Sequence, residues 1–511
     1  MVSTRLKNSR LNISANIIIY FLQSILSFVV RTVFIRKMGA ELLGLDSLLI
    51  NVLTMLSIAE LGFSTAISYE LYKPLANHKI NKISAYMSLY KKIYYIIGII
   101  IILVGIILSI FLEPIIGDYS YEHLYLVYFL YLFNTASLYF ISYKDVLLLA
   151  DQKNYKIFKY NCFFNSLIYI LQFIFILLTK NYIFYIAVMI LCRFANRIIV
   201  NRYITNYYKD IDFNSKEKLS KEEISSMKEN IFGIFCFKIG DYVINSTDNI
   251  ILSSIISIVT VGIYTNYLSV TTILKTMIKN IFNGITASFG NLTTQHNMEA
   301  EKNVYNIMVF IGFVAGGYAT VCFLNLINPF MEVWLGPKYV FESSSMIIIC
   351  INFYLMCNQM PLDTIKEAKG FYTKDKYIPI AQAVINIVLS IVLGIKIGLN
   401  GVLLGTTISY LVTVFWIKPL LINKVIFKTK SMNYFINQIK YIITIFIVYI
   451  ISNQLIVILD LKVNLLSIIT NGILTTAIFI LIISIFYFKN EGFQFLLDFI
   501  KNIFKRKKVL S

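Results

Sequence analysis

The strongest constraint on the fold is a succession of apolar runs, each close to the roughly 20 residues that cross a bilayer as a helix. The run at 93–112, for example, contains no charged residue and no alternation of apolar and polar side chains. Over the whole chain, 58% of residues are hydrophobic and only 14% are charged. A membrane β-barrel would instead show alternating segments of about ten residues. The sequence therefore predicts an all-α integral membrane protein.

The apolar runs predict about fourteen transmembrane helices, a number too large for any single-span or monotopic arrangement. We expect both termini in the cytoplasm, because this orientation places most of the 46 lysines and arginines on cytoplasmic segments. The predicted spans are 11–34, 44–69, 91–112, 122–143, 157–178, 181–202, 231–256, 262–289, 304–327, 341–360, 378–397, 400–422, 439–459 and 465–488.

The longest polar stretch divides these spans into two groups of six and a final pair. Its mixed charges are typical of a solvated cytoplasmic surface, and a surface helix is the alternative. The predicted organisation is an N-terminal six-helix lobe at 1–205, a cytoplasmic linker at 206–230, a C-terminal six-helix lobe at 231–425, and two additional helices with a basic cytoplasmic tail at 426–511.

The two lobes show a weak internal repeat. Gly44 opens the second span of the first lobe, and Gly262 opens the corresponding span of the second lobe, 218 residues later. Tyr155 and Tyr377 precede the fifth spans of the two lobes at a similar offset of 222 residues. The similar spacing favours a duplicated six-helix unit.

Polar side chains recur at helical spacing inside several spans. A charge at bilayer depth costs at least about 2.5 kcal/mol on insertion scales, so such residues are expected to face protein or water. Two lobes with polar stripes on their first helices favour a central aqueous cavity. The stripes contain Asn12, Asn16, Gln23, Ser27 and Arg31 on span one, Lys238, Asp241, Asn245 and Asp248 on span seven, and Arg193, Arg197, Lys275, Lys279, Asn283, Gln382 and Asn386 on spans six, eight and eleven.

Basic residues outnumber the acidic residues that we place in these spans, which predicts an anionic ligand such as a diphosphate. We expect the ligand to contact Arg31, Lys238, Lys275, Lys279, Arg193 and Arg197. Polar lining is predicted from Asn16, Gln23, Asn245, Asn283, Gln382 and Asn386. Coupling to H⁺ or Na⁺ is predicted through Asp241, Asp248 or Glu60.

Each of these roles has a structural alternative. Lys238 and Asp241 are spaced to form an ion pair within one helix turn. Arg193 and Arg197 are placed where long side chains can snorkel to headgroups. Glu60, in turn, can cap or anchor the end of its helix.

The sequence offers no signal for catalysis or for metal binding. Its three histidines are scattered, its cysteines form no CxxC pair, and we find no nucleophile elbow or phosphate loop. The predicted outside loops are also short, unlike those expected of a membrane polymerase. We therefore predict a protein that is not an enzyme, with no catalytic residue, no metal and no organic cofactor.

Several local runs carry a family resemblance when they are taken together. They are 59–67 (AELGFSTAI), 71–76 (LYKPLA), 150–155 (ADQKNY), 246–250 (STDNI), 262–267 (GIYTNY), 285–292 (ITASFGNL), 334–336 (WLG) and 401–407 (GVLLGTT). Together they resemble the polysaccharide, or oligosaccharidyl-lipid, flippase family (Wzx-like) of the multidrug/oligosaccharidyl-lipid/polysaccharide exporter superfamily. The likeness extends from about residue 8 to residue 425.

This resemblance implies two six-helix lobes forming a V around a cavity, with alternating access by rocking of the lobes. It implies transport of undecaprenyl-diphosphate-linked oligosaccharides across the bacterial cytoplasmic membrane for lipopolysaccharide or capsule biosynthesis. The implied partners are membrane lipids, a polysaccharide polymerase and glycosyltransferases, and not nucleic acid. A multidrug exporter of the same superfamily is the alternative, although the basic excess argues against a site for cations.

Overall fold

The computed structural model describes residues 2–60, 62–117, 119–293, 297–369, 377–498 and 501. In these ranges the regular structure is helical and no strand occurs. The helices are α1 (Val2–Leu56), α2 (Phe63–Ala76), α3 (Ile80–Ser109), α4 (Leu112–Ile116), α5 (Leu124–Ile141), α6 (Asp145–Ala150), α7 (Phe158–Thr179), α8 (Tyr182–Tyr207), α9 (Lys221–Ile255), α10 (Ile258–Thr293), α11 (Met298–Leu335), α12 (Ser343–Lys369), α13 (Ile378–Val412), α14 (Val414–Leu421), α15 (Met432–Leu459) and α16 (Leu465–Tyr487).

Ten helical stretches in the described ranges are long and apolar enough to cross a membrane. The predicted all-helical, multi-pass membrane fold is therefore confirmed. Two of the ten stretches, Leu22–Leu56 and Ile378–Ile426, each contain two predicted spans. The predicted seventh and eighth spans are helical within α9 and α10 but are not among the ten. The exact count of fourteen stays a prediction.

Helix α1 contains a break that separates the first two predicted spans. Its 55 residues would extend about 80 Å if straight, far beyond the roughly 30 Å of hydrocarbon in a bilayer. Gly39 interrupts it with φ 91° and ψ 174°, a conformation that glycine adopts far more readily than residues with a Cβ. The chain can therefore change direction at Gly39.

Helix α13 folds back on itself at Gly398, where φ is 61° and ψ is −140°. A Cβ on Gly401 would lie 2.0 Å from the carbonyl oxygen of Leu393, and one on Gly405 would lie 2.6 Å from the backbone nitrogen of Ser390. Contacts between residues at equal distances on either side of the turn identify two antiparallel arms. The glycines allow these arms to approach to backbone contact.

The second predicted span, 44–69, is not one continuous helix. Helix α1 ends at Leu56, a 3₁₀ turn follows at Ser57–Glu60, and α2 begins at Phe63. Gly62 has φ 97°, and a Cβ there would lie 2.6 Å from the carbonyl oxygen of Ile231 on α9. Left-handed geometry and close packing against α9 account for the interruption.

The chain divides into two compact units, Met1–Gly262 and Ile263–Ser511. The division falls within α10. The four predicted domains, with a linker at 206–230, concern spans and their topology, and they stay a prediction.

Within unit 1, the glycines of the internal repeat pack against each other's helices. A Cβ on Gly44 would lie 2.1 Å from the carbonyl oxygen of Ile258, and a Cβ on Gly262 would lie 2.1 Å from that of Ala40. Ala40 and Ile258 are themselves separated by the repeat offset of 218 residues. The contact is therefore reciprocal, as expected where two repeat-related helices cross about a local twofold axis.

The second half of the predicted linker is helical. Ser220 caps α9 in a capping box with Glu223, whose carboxylate also pairs with Lys82. The hydrogen bond from Lys82 is the main reason that the pKa of Glu223 lies below its usual value. The capping box supports the helix start at Lys221.

The core of unit 2 lies where α11, α12, α15 and α16 pack together. Phe313 stacks on Tyr441 with ring centroids 4.0 Å apart and planes 8° apart. A Cβ on Gly312 would lie 2.7 Å from the Pro361 side chain. Asn325 of α11 donates to Ser452 of α15 at 2.8 Å and to Thr475 of α16 at 3.1 Å. These contacts integrate α15 and α16 into the unit.

Candidate functional site

A charged cluster, which we call the Asp46 cluster, consists of Arg31, Asp46, Tyr131, Tyr182 and Arg193 in unit 1. Both tyrosines donate hydrogen bonds to Oδ1 of Asp46, that from Tyr182 at 3.0 Å. Arg31 and Arg193 lie close enough to act on the charge of Asp46. Three membrane helices, α1, α5 and α8, therefore bring two guanidinium groups to one carboxylate.

The cluster is anchored on one side and accessible on the other. Tyr131 and Tyr182 are buried, whereas Asp46 and Arg31 are partly buried and the Arg193 side chain is exposed. Its formal charge is one unit positive, since two arginines face one aspartate. An anion reaching this cluster would meet charge-assisted hydrogen-bond donors in a region of low dielectric.

Glu60 is held by a second pair of tyrosines. Tyr94 of α3 donates to its Oε1, and Tyr139 of α5 donates to its Oε2 at 3.3 Å. Tyr131 and Tyr139, which contact the two different acids, are eight residues apart on α5 and therefore share one helix face. Glu60 is thus held between α3 and α5.

Arg197 points into unit 1. Its Nη1 donates to the carbonyl oxygen of Asn134 at 2.6 Å and to Oγ of Ser137 at 2.5 Å. It also acts electrostatically on Asp145 of α6. These interactions favour an interior role for Arg197 over snorkelling to the headgroups.

In unit 2, Lys275 extends towards α12. Its Nζ is 4.0 Å from the sulfur of Met356 and acts electrostatically on Cys357. Lys279, one turn further along α10, has an exposed side chain. The two lysines thus occupy different environments on one helix.

Other predicted polar residues of unit 2 lie inside its packing. Gln382 is buried, and the fully buried Asn386 donates to Thr406 at 3.0 Å, across the two arms of α13. Lys418, which the sequence places within a span, pairs with Asp363 at 2.6 Å. Asn386 therefore contributes to the stability of the hairpin.

The remaining predicted residues are partly or wholly outside the described side chains. Gln23 is partly buried on α1, and Asp248 is buried on α9. The side chains that lie outside the described part are those of Asn16, Lys238, Asp241, Asn245 and Asn283. Among the described residues, no group of three histidine, cysteine, aspartate or glutamate side chains is placed to hold a metal ion.

Three helices of unit 2, α10, α11 and α16, form an apolar groove of about 840 Å³. Most of its lining is aliphatic, including Leu274 and Ile278 of α10 and Ile473 of α16. Leu274 precedes Lys275, so the groove and the Lys275 side chain diverge from neighbouring positions of the same helix.

The acidic members of these clusters are the residues that sequence reasoning missed. Asp46, Asp145 and Asp363 lie beside arginine or lysine, and the excess of base over acid is therefore smaller than the sequence suggested. Asp46 was within the predicted second span and could have been counted there. Its tyrosine partners could not be identified, because 36 tyrosines offer no distinguishing signal.

The helices, their close glycine contacts and the embedded charges define a multi-pass membrane protein of the transporter and flippase class. A family model described as polysaccharide biosynthesis protein matches residues 9–289. The chain belongs to this family, so the recognition from local runs is confirmed. A comparison with curated protein sequences finds no match.

Solved structures with a similar fold share little sequence with the chain. The lipid II flippase MurJ in an inward closed conformation is 16% identical, with a TM-score of 0.66 over 92% of this chain and 98% of its own. An inward-facing multidrug resistance MATE transporter is 14% identical, with a TM-score of 0.59 over 76% and 91%. A transporter of the same superfamily from Pyrococcus furiosus is 12% identical, with a TM-score of 0.52 over 83% and 97%. These likenesses establish the superfamily fold.

Proposed function

We propose that the protein is a flippase that moves undecaprenyl-diphosphate-linked oligosaccharide units across the bacterial cytoplasmic membrane for surface polysaccharide biosynthesis. The observation that carries the proposal is the Asp46 cluster, a net positive group on membrane-spanning helices with an exposed arginine. Membership of the polysaccharide biosynthesis family supports the same substrate class.

The chemistry of the cluster suits a diphosphate. Guanidinium groups form paired hydrogen bonds to phosphate oxygens, and they remain charged at any physiological pH. Asp46 and the two tyrosines position Arg193 and Arg31 without neutralising both charges. No bond is made or broken in this function, which consists of binding, alternating access and release.

The apolar groove of unit 2 suits the polyprenyl part of the same molecule. Its aliphatic lining would contact isoprenoid carbons, while the headgroup binds to charged residues such as Lys275. A lipid-linked sugar needs both kinds of surface, whereas a soluble sugar needs only the polar one.

Coupling to an H⁺ or Na⁺ gradient is part of the proposal. The carboxylates of Glu60 and Asp46 are held by tyrosine hydroxyls inside unit 1, where a change in protonation would alter the hydrogen bonds between helices. Asp241 and Asp248 remain further candidates. We also propose cytoplasmic termini, and we propose the polymerase and glycosyltransferases of the same biosynthesis as partners.

The experiment measures translocation in proteoliposomes that contain an undecaprenyl-diphosphate oligosaccharide. We expect Arg31→Ala with Arg193→Ala, and separately Lys275→Ala with Lys279→Ala, to lower the rate at least about tenfold, because each pair contacts the diphosphate. The matched control, Lys396→Ala with Lys180→Ala, removes two exposed lysines at predicted outside loops and should leave the rate unchanged.

The same vesicles test the alternative of a multidrug exporter. The carboxylates Asp46 and Glu60 are the observation that favours it, because cationic drugs bind to acidic groups. Export of lipophilic cations that depends on Asp46, with no movement of the lipid-linked sugar, would replace the flippase by the exporter.

A further inference from the structure

A hydrophilic pocket of about 330 Å³ lies at one end of unit 2, apart from the groove and from the Lys275 region. Its lining comes from four neighbouring elements: the start of α11, the turn after α14, the start of α15 and the segment after α16. The size is at the lower end of the range for small-molecule sites, about 300–1,000 Å³. We call it the asparagine pocket, because six asparagines line it: Asn303, Asn306, Asn423, Asn433, Asn437 and Asn490.

The base of the pocket is ordered by contacts within the protein. Asn423 is buried and donates to the hydroxyl of Tyr305 at 3.2 Å and to the carbonyl oxygen of Pro419 at 2.9 Å. Tyr434 and Tyr441 are also buried, and Tyr441 stacks on Phe313. A ligand would therefore rest on a preformed aromatic floor.

The groups at the rim are available to a ligand. Within the described part of the chain, we find no hydrogen bond or ion pair from the side chains of Asn303, Asn306, Asn433, Asn437, Lys302, Lys430 or Glu491. Amides both donate and accept hydrogen bonds, as polyol hydroxyls do. Lys302 and Lys430 against Glu491 leave one net positive charge.

The position of the pocket relates it to the lipid surface. Helix α15 begins at Met432, and its first turns carry the exposed apolar residues Ile436 and Ile439. A pocket beside the first turns of a spanning helix lies at headgroup depth. In the proposed topology this end faces the cytoplasm, and the inference rests on that part of the proposed function.

We propose that the asparagine pocket binds the headgroup of an anionic glycerophospholipid of the phosphatidylglycerol class in the inner leaflet. The two lysines bind the phosphodiester, the asparagine amides bind the glycerol hydroxyls, and Glu491 accepts a hydroxyl. A headgroup with one negative charge matches the net charge of the pocket. Phosphatidylethanolamine carries no net charge, and phosphatidylcholine also lacks hydroxyl donors.

The test measures lipid binding to the full-length protein in detergent by native mass spectrometry. We expect one phosphatidylglycerol to bind at least about tenfold more tightly than phosphatidylethanolamine or phosphatidylcholine. Lys302→Ala with Lys430→Ala should abolish this preference. The control, Lys424→Ala with Lys440→Ala, removes two exposed lysines from the same end of the unit and should retain it.

A second variant tests hydroxyl recognition separately from charge. Asn433→Ala with Asn437→Ala should bind phosphatidic acid as wild type does but should no longer prefer phosphatidylglycerol over it. The lipid site is disproved by equal binding of the three lipid classes or by an unchanged preference in the lysine variant. Displacement by soluble glycerophosphoglycerol at equal concentration would instead assign the pocket to a free phosphodiester.

The binding test and the translocation test fail independently. Loss of lipid preference with normal flipping would remove the headgroup site alone. Failure of translocation in the arginine and lysine variants of the earlier experiment concerns residues outside the asparagine pocket.

Discussion

At the scale of single residues, the described acids with clear roles are held by groups from other helices. Asp46 is on α1, but its hydrogen bonds come from α5 and α8. Glu60 follows the same rule with partners on α3 and α5. A helix stripe read from sequence identifies which residues share a face. It cannot identify partners on other helices, and this is why Asp46 was missed while Arg31 was found.

We predict that Asp46→Ala destabilises the folded protein by about 1–3 kcal/mol, because it removes the acceptor of two tyrosine hydroxyls and leaves two arginines facing each other. The measurement is thermal unfolding of the purified protein in detergent. Glu122→Ala, which removes an exposed carboxylate outside this cluster, should have little effect.

A double-mutant cycle isolates the electrostatic part of that loss. Asp46→Ala with Arg193→Ala should be less destabilised than the sum of the two single variants, because the uncompensated positive charge is also removed. Strict additivity would show that Arg193 and Asp46 are not coupled.

At the scale of helices, the hydrophobic runs predicted existence and approximate extent better than continuity. Apolar length is a direct consequence of bilayer thickness, so most predicted spans correspond to helices. The breaks depend on local backbone geometry instead. Gly39, Gly62 and Gly398 adopt positive φ, but nothing in their neighbouring residues distinguishes them from glycines inside continuous helices.

The reciprocal crossing of Gly44 and Gly262 belongs to this scale as well. The equal spacing of these glycines in sequence indicated a repeat, and the structure gives that spacing a physical reason. Each glycine faces a backbone carbonyl of the helix that contains the other. A side chain at either position would force the two helices apart.

We predict that Gly44→Ala and Gly262→Ala each lower the yield of folded protein and the thermal unfolding temperature, because the added Cβ would meet a carbonyl oxygen at 2.1 Å. Fluorescence-detected size-exclusion chromatography before and after heating gives both quantities. Gly472→Ala on α16 is the matched control, since its Cβ would meet only Leu326 at an ordinary 3.6 Å. Equal tolerance of all three substitutions would contradict the close crossing.

At the scale of the whole molecule, the distribution of charge carries the orientation. Positively charged residues near span ends are retained on the cytoplasmic side, so a single assignment for the N-terminus places all later loops. Lys396, near the turn of α13, and Asp460, at the end of α15, are then outside. Lys153 and Lys424 are inside, at the same end of the molecule as the asparagine pocket.

We predict that this orientation will be seen by cysteine labelling of intact cells. Single cysteines at positions 396 and 460, in a variant whose six native cysteines are replaced by alanine or serine, should react with a membrane-impermeant maleimide. Cysteines at positions 153 and 424 should react only after permeabilisation, because the bilayer excludes the charged reagent. The four positions are on surface-accessible or partly accessible side chains, so a lack of reaction reports sidedness rather than burial. The reverse pattern would invert the topology and move the asparagine pocket to the outer leaflet, whereas labelling of only one member of either pair would require a different number of spans between them.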